Sequence, residues 1–102
     1  MTKTKTKKFD AAKYLDHPDT IAAYLNDAFE SKNAAEIALA LGTVARASGM
    51  TKISEHTGLG RESLYKSLSG DVMPNFDTVQ KVLHSFGLKL VVEPATQVTE
   101  AA

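Results

Sequence analysis

Between residues 50 and 70 lie side chains whose types and spacing suit contact with nucleic acid. Arg61 and Lys66 can donate hydrogen bonds to guanine or to phosphate, and Glu62 can accept one from the amino group of cytosine. If Leu64 and Leu68 face inward on a helix, Glu62 and Lys66 lie on the opposite, exposed side. The residues that we predict to contact DNA are Thr51, Lys52, Gly60, Arg61, Glu62, Ser63, Tyr65, Lys66 and Ser69.

The spacing around Gly58 predicts that these side chains sit on a helix-turn-helix. Gly58 would supply the turn, Ser54 the small residue where two helices cross, and Ile53, Leu59 and Leu64 the apolar contacts that fix their angle. Loose versions of this pattern arise by chance. The spacing alone therefore leaves open an ordinary pair of helices in a small helical domain.

Two positions depart from the usual form of this motif. Gly60 stands where Ser or Thr commonly caps the second helix, which should weaken the helix start by only a few tenths of a kcal/mol. Ser67 stands where an aliphatic residue is common, and Leu68 follows it. Either the second helix is slightly rotated, or Leu68 packs in place of residue 67.

Apolar residues at helical intervals predict the helices that surround this pair. Pro18 begins one helix, and Asn33 with Glu36 resembles a capping box that begins an alanine-rich second helix ended by Gly49. Asn75 should cap the last helix. The residues expected to face inward from that helix are Phe76, Val79, Val82, Leu83 and Phe86.

Two shorter helical segments are also expected from capping residues. Asp10 is suited to cap a short turn that runs through Leu15, and Thr51 is suited to cap the first helix of the predicted helix-turn-helix. The chain would then hold five to six helices.

Alternation of side chains from Leu88 to Glu93 predicts one short β-strand. A lone strand cannot satisfy its own backbone, so it must pair with residues 5–9 or with the same strand of a second copy. We slightly favour the second copy, because proteins that read palindromic DNA are usually two-fold dimers. The predicted dimer contacts are Leu88, Leu90 and Val92.

Length and composition predict one domain with basic and acidic parts. The 102 residues allow a single core over 9–94, preceded by a basic arm at 1–8 and followed by a disordered tail at 95–102. Net charge is zero. Residues 9–42 nevertheless hold two lysines against six acids, whereas residues 43–92 hold six bases against four acids, so two surfaces with different partners are expected.

Several other classes of function are disfavoured. The chain has no cysteine, which excludes disulfides and thiolate metal sites and favours the cytoplasm, and no apolar run is long enough to span a membrane. His17, His56 and His84 lie far apart without carboxylates at metal-ligand spacing. The sequence shows neither a serine nucleophile with a base at a known spacing nor a glycine-rich phosphate loop. We therefore expect neither an enzyme nor a bound cofactor or metal.

The segment from Gly49 to Pro94, GMTKISEHTGLGRESLYKSLSGDVMPNFDTVQKVLHSFGLKLVVEP, resembles one known family. It is similar to the Cro/Xre-type helix-turn-helix of the probable addiction-module antidote proteins, the HigA-like antitoxins. The similarity continues upstream through FDAAKYLDHPDTIAAYLNDAF and ALGTVARASGM and covers about nine-tenths of the chain. It implies a mainly all-α, lambda-repressor-like domain that represses its own operon as a dimer.

The resemblance also implies a partner, a RelE/ParE-superfamily toxin encoded beside this gene. Such toxins are basic ribonucleases, and the acidic N-terminal half of this chain suits them. For any single acid, an ordinary solvated helix face remains the more frequent explanation. The residues that we expect to contact the toxin are Asp16, Asp19, Tyr24, Asp27 and Glu30, with Glu36 on the same acidic half.

Three functions remain open at this point. The first is an antitoxin that neutralises a toxin and represses its own operon; the second is a free-standing Xre-type regulator without a toxin. The third is a helical adaptor that does not bind DNA. A small basic reading frame beside the gene would separate the first from the second, and salt-dependent DNA binding would separate both from the third.

Overall fold

The computed structural model describes residues 15–95, and this part of the chain is all-α. Its five helices are α1 (Pro18–Glu30), α2 (Ala34–Ser48), α3 (Met50–Thr57), α4 (Arg61–Ser67) and α5 (Phe76–Ser85). The predicted basic arm, the short turn expected from Asp10 except its last residue Leu15, and residues 96–102 of the predicted tail lie outside the described residues.

Polar residues and one proline begin three of these helices. Pro18 is the first residue of α1, and the His17 ring accepts a hydrogen bond from the Asp19 N–H at 3.2 Å. Asn75 caps α5 as predicted. Asn33 caps α2 by accepting from the Glu36 N–H.

The predicted capping box at the start of α2 forms on one side only. In a full box, the Glu36 side chain would accept from the Asn33 N–H. That N–H instead donates to Ser31 Oγ at 3.1 Å, so a hydroxyl from the preceding turn takes the position of the carboxylate.

The prediction that Thr51 caps α3 is wrong. Gly49, at φ 105°, is both the last capping residue of α2 and the first of α3, so the helix starts at Met50 and Thr51 lies inside its first turn. Glycine reaches this backbone conformation without a steric penalty, which allows the chain to turn from one helix directly into the next.

The core lies around α3, which packs against α2, α4 and α5, while α1 packs against α2. Full burial of a Leu, Ile or Val side chain contributes roughly 1.5–3 kcal/mol. The largest fully buried side chains are Leu41, Val44, Ile53, Leu64, Leu68 and Val82.

The expected inward position of Phe76 is also wrong, because its side chain is 67% exposed. The Asn75 side chain accepts from the Thr78 N–H at 2.8 Å and so fixes the first turn of α5. Thr78 takes the inward position there. Phe76 is nearly in line with buried Leu83, but it is the first residue of α5 and is not among the side chains that pack against the core, so it faces solvent.

The predicted strand from Leu88 to Glu93 does not form within the described part of the chain. Residues 88–95 are in neither helix nor strand. The Leu88 N–H donates to the Leu83 carbonyl at 3.0 Å and so completes the end of α5, and the Leu88 side chain packs against the core. Beyond that point no other described segment offers a strand to pair with, which a β-ladder requires.

Among residues 15–95, no helix combines the length and the apolar character needed to cross a bilayer.

Candidate nucleic-acid interface

The predicted DNA contacts lie mainly on two short helices joined by a tight turn. α3 ends at Thr57, and α4 begins at Arg61 after three connecting residues. Gly58 has left-handed geometry, with φ 77° and ψ 7°, and its N–H donates to the Ser54 carbonyl to close α3. Gly58 therefore occupies the turn position that its spacing predicted.

Two hydroxyl groups hold this turn in place. Ser54 Oγ donates to the Leu59 carbonyl at 2.6 Å. Thr57 Oγ1 donates to the Ile53 carbonyl at 2.8 Å and accepts from the Leu59 N–H at 3.2 Å. Ser54 was predicted at this position for its small size, and neither hydrogen-bonding role was predicted; the signal was a pair of hydroxyl residues three apart before a turn glycine.

The inner side of α4 is anchored by two leucines. Leu64 and Leu68 are both fully buried, whereas Ser67 is only partly buried. Of the two possibilities left by Ser67, packing by Leu68 in its place is the one observed. These contacts fix which side of α4 faces outward.

Gly42, a buried residue in the middle of α2, allows the end of α4 to approach closely. A Cβ atom added to Gly42 would lie 2.5 Å from the Leu68 carbonyl oxygen and 3.3 Å from the Leu68 Cβ. No such contact is tolerated between real atoms, so only glycine fits at this crossing. This role of Gly42 was not predicted, because nothing near Gly42 in the sequence indicates the distant partner.

Eight of the nine predicted DNA contacts are exposed. Tyr65 is 44% exposed, and no described side chain forms a salt bridge with Lys52, Arg61 or Lys66. The exposed members of the set are Thr51, Lys52, Gly60, Arg61, Glu62, Ser63, Tyr65 and Lys66. Three cations and one carboxylate give this surface a net positive charge, as a phosphate-binding face requires.

Ser69 differs from the other eight because its hydroxyl is already engaged. Its Oγ donates to the Lys66 carbonyl at 2.9 Å and accepts from the Asp71 N–H at 3.1 Å, and the residue is partly buried. Ser69 thus closes the end of α4, and its hydroxyl can contact a base without losing one of these bonds only as a further acceptor.

The residues predicted to contact a protein partner lie on or just before α1. Their four carboxylates, those of Asp16, Asp19, Asp27 and Glu30, are exposed, whereas Tyr24 is half-buried and packs against the core. Asp19 is 3.9 Å from the His17 ring, an interaction that is ionic only when the histidine is protonated. A groove between α1 and α2 borders the C-terminal half of this surface.

The predicted dimer contacts do not form one uniform surface. Leu88 is half-buried, Leu90 is 42% exposed and Val92 is 99% exposed. The segment borders an open groove of about 400 Å³ against α1 and α5. No group of three potential metal ligands occurs among residues 15–95.

Comparison with known proteins places all but the last of the described residues in one sequence family. A family model described as "Probable addiction module antidote protein" matches residues 5–94. An uncharacterized protein of Haemophilus influenzae (strain ATCC 51907 / DSM 11121 / KW20 / Rd) is 41% identical over 87 residues, which are 85% of this chain and 90% of that relative. No solved structure gives a significant match.

Proposed function

This chain belongs to the probable addiction module antidote protein family, and from that premise we propose that it neutralises a RelE/ParE-type toxin and represses its own operon. Family membership makes the chain an antitoxin, and an antitoxin implies a cognate toxin. The toxin type, the DNA contact and the dimer are the proposed additions.

For DNA binding, the supporting observation is the exposed, positively charged outer side of α3 and α4. Arg61 begins α4 and Lys66 lies in its last turn, and both side chains are exposed while Leu64 and Leu68 hold the inner side of α4 in the core. The pair acts as a helix-turn-helix in which α4 enters the major groove, and Thr51 and Lys52 contact phosphates. Arg61 and Lys66 then read guanine or bind phosphate.

For toxin binding, the supporting observation is the exposed row of carboxylates on the N-terminal part of the described chain. Asp16, Asp19, Asp27 and Glu30 attract a basic partner and speed its association. This surface lies on α1 and on the residues just before it, whereas the DNA contacts lie on α3 and α4. The two partners therefore bind different elements of the same chain.

For the dimer, we propose that residues 88–93 pair with the same segment of a second copy. The segment exposes Leu90 and Val92 and has no partner strand within residues 15–95. A two-fold dimer would present two copies of α4 to adjacent half-sites about one helical turn of DNA apart.

The DNA contact is tested by gel shift with the DNA upstream of the gene at several salt concentrations. We expect Arg61→Ala with Lys66→Ala to weaken binding by about 1–3 kcal/mol in total, while wild-type affinity falls steeply with salt. The control is Lys32→Ala with Lys81→Ala, which removes the same charge from exposed sites outside α3, α4 and residues 88–93. Equal effects of the two pairs would contradict the assignment to α4.

The toxin contact is tested by co-expression with the neighbouring gene, followed by purification and sizing. We expect a stable complex whose formation slows at high salt, because opposite charges steer the association. A neighbouring product that neither co-purifies nor inhibits growth when expressed alone would contradict the antitoxin proposal and favour a free-standing regulator.

A further inference from the structure

The groove between α1 and α2 combines an apolar side chain with carboxylates. It has a volume of about 290 Å³ and is lined by residues three, four and seven apart on α2, with matching residues on α1. Leu39 of α2 is 46% exposed there, although its neighbours Ala38 and Ala40 are buried. A large aliphatic side chain left this exposed in the lining of a groove is suited to contact another protein.

Carboxylates lie on both sides of Leu39. Asp27 comes from α1 and Glu36 from α2, and both line the groove and are exposed. Within residues 15–95, the salt bridges are His17 with Asp19 and Asp77 with Lys81, so neither groove carboxylate has a basic partner within 4.0 Å. Two negative charges without counterions flank one apolar contact, and a complementary partner must present cations around an apolar side chain.

We propose that this groove holds a basic segment of the cognate toxin, with an apolar side chain against Leu39 and cations opposite Asp27 and Glu36. The assignment rests on the proposed antitoxin function and gives it a location. Among the predicted toxin contacts, Asp27 should therefore contribute more to toxin affinity than Asp16 or Asp19, because Asp27 borders the groove whereas the other two lie outside it. About eight residues separate Asp19 from Asp27, or roughly 12 Å along a helix.

The same groove adjoins the end of α4. A Cβ atom added to Gly70 would lie 3.0 Å from Leu39 Cγ, so the Leu39 side chain contacts the backbone that follows the proposed DNA-reading helix. Substitution of Leu39 therefore needs a separate readout of folding and DNA binding, so that lost toxin affinity is not confused with a displaced α4.

The test measures toxin affinity by isothermal titration calorimetry, with the purified product of the neighbouring gene as the probe. The groove pair is Asp27→Lys with Glu36→Lys. The matched control is Glu55→Lys with Asp77→Lys, which changes the net charge equally at exposed sites outside the groove and outside residues 88–93. Circular dichroism of each variant verifies that the helices are retained.

We expect the groove pair to raise the dissociation constant at least about 30-fold and the control pair less than about threefold, because like charges across an interface are strongly unfavourable. Leu39→Ala should raise it about tenfold while leaving DNA affinity within about twofold, as loss of a central apolar contact does. Added salt should reduce the change in dissociation constant caused by the control pair more completely than the change caused by the groove pair.

Equal losses in the groove and control pairs would overturn the groove assignment while leaving the antitoxin function intact. Wild-type protein that binds no toxin would overturn the proposed function itself, and the groove assignment with it. A groove pair that changes the chain's own oligomeric state but not its toxin affinity would assign the groove to a second copy, which also overturns this proposal.

Discussion

Replacement of Gly42 by alanine tests the close crossing between α2 and the end of α4. The added Cβ would lie 2.5 Å from the Leu68 carbonyl oxygen, so the backbone after α4 must move. Because Leu68 is fully buried and anchors α4, this movement should also displace the exposed side that carries Arg61 and Lys66. Gly42→Ala is therefore expected to weaken both folding and DNA binding.

The size of the effect follows from two opposing contributions. Alanine in a helix interior is about 1 kcal/mol more favourable than glycine. Overpacking of a buried contact costs about 1–3 kcal/mol, and the upper part of that range applies because the obstructing atom belongs to the backbone. We expect a net loss of about 1–2 kcal/mol in the free energy of unfolding, with Tm falling roughly 4–8 °C for each kcal/mol.

Urea denaturation followed by circular dichroism measures the first effect, and a gel shift below the unfolding transition measures the second. Gly60→Ser is the control: a Cβ there meets nothing within 4 Å, and serine is a better N-cap, so stability should rise by a few tenths of a kcal/mol. A Gly42→Ala protein that is more stable than wild type and binds DNA normally would refute the close crossing.

Three further predictions concern stability and are measured by urea denaturation. Ser54→Ala removes the 2.6 Å bond to the Leu59 carbonyl and should lower the free energy of unfolding by about 1 kcal/mol; an unchanged midpoint would show that this bond does not hold the turn. Asn75→Ala should cost about 1 kcal/mol and Asn75→Asp much less, because only alanine loses the cap of α5; equal losses would contradict capping. Phe76→Ala should change stability by less than about 0.5 kcal/mol, whereas Leu83→Ala should cost about 2–5 kcal/mol; the reverse order would contradict their exposures of 67% and 3%.

Features that depend on neighbouring residues were predictable from the sequence. Gly58 ends α3, Asn75 caps α5 and Pro18 begins α1, each at the position that its type indicated. These residues act through backbone bonds within three or four positions, so no knowledge of the tertiary structure is needed. The inward positions of Leu64 and Leu68 followed from helical spacing in the same way.

Features that depend on distant residues were not predictable. The crossing at Gly42 requires Leu68, which lies 26 positions later, and the contact of Gly70 with Leu39 spans a similar distance. Phe76 was placed inward by its helical spacing, but it is the first residue of α5 and does not pack against the core. A strand additionally requires a partner, which the alternating pattern of residues 88–93 cannot specify.

The candidate interface was predicted in outline and altered in detail. Exposure on α3 and α4 followed from placing the leucines inward. The engaged hydroxyl of Ser69 did not, because its bond with the Asp71 N–H depends on the turn at Gly70, where φ is 91°. The groove beside Leu39 also went unpredicted, since it exists only where α1 and α2 meet.

The proposal that the exposed side of α4 reads DNA is tested most directly by nuclear magnetic resonance. Labelled protein is titrated with a duplex from the upstream region, and backbone amide shifts are followed residue by residue. We expect the largest changes at Thr51, Lys52 and residues 60–66, with little change along α1. Changes centred on α1, or none on α4 at saturating DNA, would contradict the proposal.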